Sequence, residues 1–313
     1  MKIIFYNTAH VGDTIFAQPL VKEFCKQNPD CDVSVFVKQN WFFYYDIPNI
    51  KIIGNDLNEY TNFDRHNPYI IINNDNYKKK SNYFNSLKHN LTYFKENDII
   101  YINTWISNGY IRYDICSCDL EKLFNGFSLM FNDINRDFNT NFKFECPYPK
   151  LLTIPVLDIS FFLDFKKDKK IIYYYNDIAH SGHDIPIRNH DYIIDYLANK
   201  YNDYIIITSL PSNIKTNNVI SLDFFNINIT PCCKNIYYGI YFAMYSDIVF
   251  SQDIGSNYLY SNDKINEIFK GKWYHMTGGD YYYERLNRNL KNPNIIYFNI
   301  NNEEEFKERL NFI

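Results

Sequence analysis

Two short segments carry the residues best suited to chemistry. The first is Lys2-Ile3-Ile4-Phe5-Tyr6-Asn7, continued by Thr8-Ala9-His10-Val11-Gly12-Asp13-Thr14. An apolar strand runs into a tight Gly-Asp turn that carries His10 and Gly12, and a helix opens after Asp13. The chain has only 10 glycines in 313 residues, so each is expected to meet a backbone need. Gly12 would let the chain pass close to a ligand. Asp13 would stand at the carboxyl end of a strand, where open α/β sheets place their ligands. A carboxylate there can cap the helix or take a proton from a substrate.

The second segment is Gln252-Asp253-Ile254-Gly255-Ser256-Asn257-Tyr258, at the end of the apolar strand read over 247–251. A turn holds Asp253 and Gly255, and a helix is expected to start near Ser256. Free N–H groups and the helix dipole at such a start favour anions. Gly255 permits close backbone approach, and the Ser256 hydroxyl can add a bond to phosphate. An N-capped helix without a ligand would use the same residues, because Asp and Ser are common caps. A third segment, 176–188, follows the strand read over 171–175 and contains His180, His183, Asp184 and Arg188. Its histidines and arginine could meet a diphosphate. As metal ligands, His180 and His183 on a loop make a thin set, and surface histidines are the commoner outcome.

Placing these segments takes strands alternating with helices. In the first half, strands read over 3–6, 33–37, 50–53, 69–72 and 99–102. The first helix shows Phe16, Leu20 and Phe24 at i, i+4 and i+8, with Pro19 either kinking it or delaying its start. Residues 73–98 are polar and read as a helix with loops, and 120–131 as helical. Residues 147–170 read as a connection, kept extended by Pro147, Pro149 and Pro155 and followed by a Lys/Asp cluster. Strands then read over 171–175, 204–208, 219–222, 247–251 and 295–300. Helices read over 189–200, 236–245 and 303–310, and a short one opens over 256–261. Such alternation implies parallel sheets. The expectation is an α/β chain of two Rossmann-like domains, residues 1–160 and 161–313, facing across a cleft.

Composition narrows the function classes. Hydrophobic residues make up 46% of the chain, enough for packed cores. Tyr (30) and Phe (26) are abundant, while Ala and Gly are scarce. This bias reads as codon drift in an AT-rich genome, a giant virus's or a low-GC microbe's, rather than as a surface for stacking bases. A net charge of −4 argues against a nucleic-acid partner, which calls for a basic face. The basic runs Lys78-Lys79-Lys80, Lys166-Lys167 and Lys169-Lys170 read as solvated loops. The seven cysteines are scattered. Cys116-x-Cys118 and Cys232-Cys233 lack zinc-site spacing, so reduced thiols in a cytoplasmic protein are expected. No signal peptide or membrane span is read. The glycosylation patterns at Asn90 and Asn228 are what chance gives in an Asn-rich chain. Trp41, Trp105 and the aromatics of Gly278-Gly279-Asp280-Tyr281-Tyr282-Tyr283 could stack on a sugar, but packing is the commoner use.

The first two segments, in this order and at this separation, resemble the heptosyltransferase-like glycosyltransferases of GT-B fold. The N-terminal signature of that family is a strand, then Gly-Asp, then Pro and an apolar residue, here Gly12-Asp13 with Pro19-Leu20. Its C-terminal signature is a strand followed by Asp-Ser-Gly-x-x-His. Here it reads Asp253-Ile254-Gly255-Ser256-Asn257-Tyr258, with Ile254 for the small hydroxyl residue and Tyr258 for the His. The resemblance spans most of the chain in element order but only these motifs in residues. It implies an inverting sugar transfer from a nucleotide-sugar donor to a hydroxyl acceptor, with no metal or other cofactor. The N-terminal domain would hold the acceptor and the C-terminal domain the donor. Asp13 would be the general base. The leaving diphosphate would rest on the amides near Gly255, Ser256 and Asn257, helped by Arg188 or His183, with Asp253 and Tyr258 also on the donor side. Two alternatives stay open: a non-catalytic protein binding a nucleotide or glycan, and a nucleotide-sugar epimerase.

Overall fold

The computed structural model describes residues 1–7, 11–37, 44, 47–53, 93–104, 120–145, 157–177, 186–227, 236, 238–252, 263–277 and 294–311. The chain divides into two compact units, Met1–Thr153 and Ile154–Ile313. Each is built on its own sheet.

The first unit contains β1 (Lys2–Asn7), α1 (Val11–Gln27), β2 (Asp32–Val37), β3 (Lys51–Ile53), β4 (Tyr93–Glu96), β5 (Ile99–Asn103) and α2 (Leu120–Phe138). Its sheet has the order β3-β2-β1-β5-β4. β1 pairs parallel with both β2 and β5. β4 is antiparallel to β5, with Glu96 opposite Ile99. A strand here differs from the polar helix expected over 73–98. The reason is the two-residue link Asn97-Asp98, whose φ angles are 46° and 62°. Two consecutive positive φ values make the tight hairpin turn whose twist matches paired strands. Across it Phe94 and Tyr101 stack at 4.6 Å.

The core of this unit is aromatic. Phe24 on α1 stacks on Phe131 of α2 at 4.9 Å and meets Phe5 of β1 edge-on at 5.2 Å. Phe142 and Phe144, beyond α2, close over the same rings. The extended segment that carries them is held by two amide side chains at the end of α1. Asn28 donates to the Lys143 carbonyl at 2.7 Å and accepts from its N–H at 2.9 Å. Gln27 does the same with Glu145 at 2.5 and 2.8 Å. These side chains supply the partners that a neighbouring strand would otherwise provide.

The second unit runs α3 (Ser160–Lys166), β6 (Lys170–Tyr174), α4 (His190–Lys200), β7 (Tyr204–Thr208), β8 (Val219–Ser221), α5 (Gly239–Tyr245), β9 (Ile248–Gln252), α6 (Asp263–Ile268), β10 (Lys272–Thr277), β11 (Ile295–Asn299) and α7 (Glu303–Leu310). The sheet order is β11-β10-β9-β6-β7-β8, with every pair parallel. β6, β9 and β10 are buried along almost their whole length, as expected of parallel strands covered on both faces. Three elements were not expected. β10 joins the sheet between β9 and β11, α6 follows the range where a short helix was read, and α3 forms inside the stretch read as a connection. There Phe162 stacks on Phe242 of α5 at 3.9 Å, so packing rather than local propensity fixes the helix. The strand expected over 69–72 and the helix over 256–261 lie outside the described residues.

Phe24 touches three other rings and is fully buried. Phe24→Ala should therefore lower unfolding free energy by about 3–5 kcal/mol, measured by urea denaturation. A loss under about 1 kcal/mol would contradict this packing.

Candidate functional site

Strand order alone selects where each sheet can bind a ligand. In the second unit, β6, β7 and β8 step one way across the sheet, and β9, β10 and β11 step the other. This is the 3-2-1-4-5-6 arrangement of nucleotide-binding sheets. In open sheets of this order, ligands bind beyond the carboxyl ends of the two strands that flank the reversal, here β6 and β9. In the first unit the same reversal falls between β1 and β5.

At the first reversal, α1 already begins at Val11. Gly12 and Asp13 thus lie in its first turn, a correction of the tight turn expected ahead of the helix. The first turn suits both residues. Its N–H groups have no intrahelical acceptor. Pro19 is accommodated within the helix, which continues to Gln27. Beside this turn, the carboxyl ends of β1 and β5 carry buried polar residues: Asn7, Asn103 and Thr104. The Thr104 N–H donates to the Tyr6 carbonyl at 2.9 Å, and its hydroxyl lies 3.3 Å from the same oxygen. The Asn7 amide reaches the Thr104 carbonyl at 3.5 Å.

The second reversal is knit together by side chains. Gln252 ends β9 and is fully buried. Its Oε1 accepts from the Ile187 N–H at 3.3 Å, and its Nε2 lies 3.4 Å from His190 Nε2. An amide nitrogen can only donate, so His190 Nε2 accepts and the ring proton sits on Nδ1. That proton points to the Tyr174 hydroxyl at 2.9 Å. Burial pushes the His190 pKa down to about 4, so the ring stays neutral in this chain of contacts. On the other side, Glu303 Oε1 accepts from the N–H groups of Arg188 (2.7 Å) and Asn189 (2.9 Å). Burial acts to raise the Glu303 pKa, but these N–H groups outweigh it and hold the carboxyl below its usual range. Asn189 also caps α4 through the Tyr192 N–H. Residues 187–189 are therefore clamped between β9 and α7, with Arg188 exposed.

A further group locks the ends of β6 and β7. Asn176 Oδ1 accepts from the Leu210 N–H at 2.7 Å, and Asn176 Nδ2 donates to the Leu210 carbonyl at 3.0 Å. Ser209 Oγ lies 2.8 Å from Asp177 Oδ1. Asn176, Asp177, Ser209, His190, Gln252 and Glu303 were not singled out from sequence. The available signal was a polar residue closing each apolar strand, with Gln252 directly before Asp253.

Of the residues proposed from sequence, Gly12, Asp13 and Arg188 are placed by the structure. His10, His180, His183, Asp253, Gly255, Ser256, Asn257 and Tyr258 lie outside the described residues. The bond from Ile187 to Gln252 brings together the chain next to Arg188 and the chain next to Asp253. Among the described residues, no group of three or more His, Cys, Asp or Glu could hold a metal. An Asp-x-Asp spacing occurs as Asp30-Cys31-Asp32, but it enters β2 at the amino edge, where Asp32 pairs with Lys51 at 2.6 Å. No helix among the described residues is long and apolar enough to cross a membrane.

No protein-family model matches the sequence, and no curated protein matches it. Among solved structures, the chain is similar to the ADP-heptose LPS heptosyltransferase II of E. coli, at 12% identity and a TM-score of 0.49, over 95% of this chain and 90% of that one. It is similar to a family 9 glycosyl transferase from Veillonella parvula at 10% identity and a TM-score of 0.45, over 99% and 88%. It is also similar to E. coli heptosyltransferase WaaC, solved with ADP, at 9% identity and a TM-score of 0.38, over 96% and 91%. Likeness at this distance carries no argument about activity. The α/β class rests on the strand orders themselves.

The neutral histidines set a pH dependence. His190 has a folded pKa of about 4, and His275, buried beside Ser251, one of about 3. Both lie below the unfolded value of about 6.5. The unfolded chain therefore binds more protons, and the stabilisation, complete above pH ~6.5, is lost as pH falls toward these folded values. Urea denaturation from pH 7 to pH 4 should show stability falling, and His190→Gln should flatten that slope. An unchanged slope in the variant would contradict a buried neutral His190.

Proposed function

We propose that the chain is a metal-independent inverting glycosyltransferase, moving a sugar from a nucleotide-sugar donor to a hydroxyl acceptor. One observation carries the reading. The Gly12-Asp13 motif stands at the strand-order reversal of the first sheet, and the Asp253–Tyr258 motif directly follows β9, at the reversal of the second. Both motifs thus occur where an open parallel sheet binds ligands.

In this reading the first unit holds the acceptor, and the second the donor. The Asp13 carboxylate takes the acceptor hydroxyl proton as that oxygen attacks the anomeric carbon. The bond from that carbon to the diphosphate oxygen breaks on the opposite face, so the centre inverts. The negative charge that develops on the diphosphate meets backbone N–H groups near Gly255, Ser256 and Asn257, with Arg188 and His183 beside them. Donors already in place before charge develops can supply the stabilisation that a metal gives elsewhere. The clamp by Gln252 and Glu303 keeps the Arg188 backbone fixed during this step. Tyr258, standing where the resembling family has His, favours a second reading in which the protein binds a nucleotide or glycan without turnover.

Asp13→Asn separates the two. The transferase reading expects sugar transfer to fall about a hundred- to ten-thousand-fold, with nucleotide affinity kept, in a donor–acceptor panel followed by mass spectrometry. Full activity in the variant would remove Asp13 as the base. Nucleotide binding with no turnover by the wild type would select the binding reading.

A further inference from the structure

The reversal that the proposed transfer uses lies at the carboxyl edge of the second sheet. At the opposite, amino edge the unit has a cavity of about 610 Å³, within the size range of small-molecule sites. Lys166 at the end of α3, Tyr201 and Tyr204 around the turn into β7, Asp247 before β9, and Lys270 and Lys272 at the entry to β10 line it.

Its charges are unevenly matched. Asp247 is committed: Oδ2 accepts from the Ile171 N–H at 2.8 Å, and Oδ1 lies 3.4 Å from Lys166 Nζ. Lys166 also donates to the Tyr245 carbonyl at 2.5 Å. Lys270 and Lys272 are exposed, and among the described residues neither ammonium has a hydrogen-bond or ion-pair partner. Gly271, between them, has no room for a side chain. A Cβ there would stand 2.2 Å from the Asp247 carbonyl oxygen, and the Lys272 N–H donates to that same oxygen at 3.0 Å. The chain is thus pressed against residues 246–247, which holds the backbone between the two lysines in place. The lining also includes the rings of Tyr201 and Tyr204, edge to face at 5.6 Å. Three lysines face one spent carboxylate in a chain of net charge −4.

The geometry points to a second binding site here, for an aromatic anion of the aryl phosphate kind. The ammonium groups of Lys270 and Lys272 take the phosphate, and the tyrosines take the ring, by the edge and face contacts that aromatic pairs prefer. This site stands independently of the transferase reading, because it uses none of the residues at either reversal.

Isothermal titration of the full chain with phenyl phosphate at low salt tests it. Wild type should bind, with affinity falling as salt rises. Inorganic phosphate and phenol should each bind more weakly. Lys270→Glu with Lys272→Glu should weaken phenyl phosphate roughly tenfold or more, and the paired Gln substitutions should weaken it less. Both lysines are exposed, so the variants should fold, which circular dichroism checks. Three results would overturn the assignment: no binding by the wild type, unchanged affinity in the Glu variant, or inorganic phosphate binding as tightly as phenyl phosphate.

Discussion

Parallel pairing constrains everything else in the second unit. Six strands pointing one way must be joined by crossovers, and the chain leaves β6 toward β7 and β9 toward β10, on opposite sides. Backbone groups near the carboxyl ends of these strands need partners beyond the sheet ladder. Side chains meet that demand. Gln252 satisfies the Ile187 N–H, Asn176 satisfies both backbone groups of Leu210, and Glu303 satisfies two N–H groups before α4.

The same contacts explain how one buried tyrosine, Tyr174, is tolerated. Tyr174 ends β6 with its ring in the core, yet its hydroxyl reaches His190. A phenol buried without a partner costs free energy, so the neutral imidazole does two jobs. It accepts from Gln252 and donates to Tyr174, and so joins β9, β6 and the start of α4. A charged imidazole would lose its acceptor nitrogen and break this chain of contacts. The abundant Tyr and Phe have thus been put to structural use in both cores.

The elements that were legible in the sequence share one property. β1, β2, β5, β6, β7, β9 and β11 are apolar runs bounded by polar or turn residues, and α4 and α7 begin at Asn caps. β10 was not legible, because Lys272, His275 and Thr277 interrupt its apolar run. His275 is buried there with Ser251, 24 residues away in sequence, 2.8 Å from its ring. α3 was hidden by the prolines before it and the lysines after it. β4 could have been found from Asn97-Asp98, two residues that accept positive φ between β-forming runs. At the site, Gly12, Asp13 and the segment after β9 could be read from spacing, whereas Gln252, His190 and Glu303 could not. Their roles depend on partners tens of residues distant, and a single sequence carries no such pairing.

The central claim is that a nucleotide occupies the reversal of the second sheet. Hydrogen–deuterium exchange with mass spectrometry, on the full chain with and without each of UDP, GDP, CDP, ADP and dTDP, addresses it directly. The account predicts that one of these slows exchange in the segments that follow β6 and β9, residues 176–189 and 253–258, and leaves the amino edge of the sheet unchanged. Protection at the amino edge instead, or none with any of the five, would contradict it.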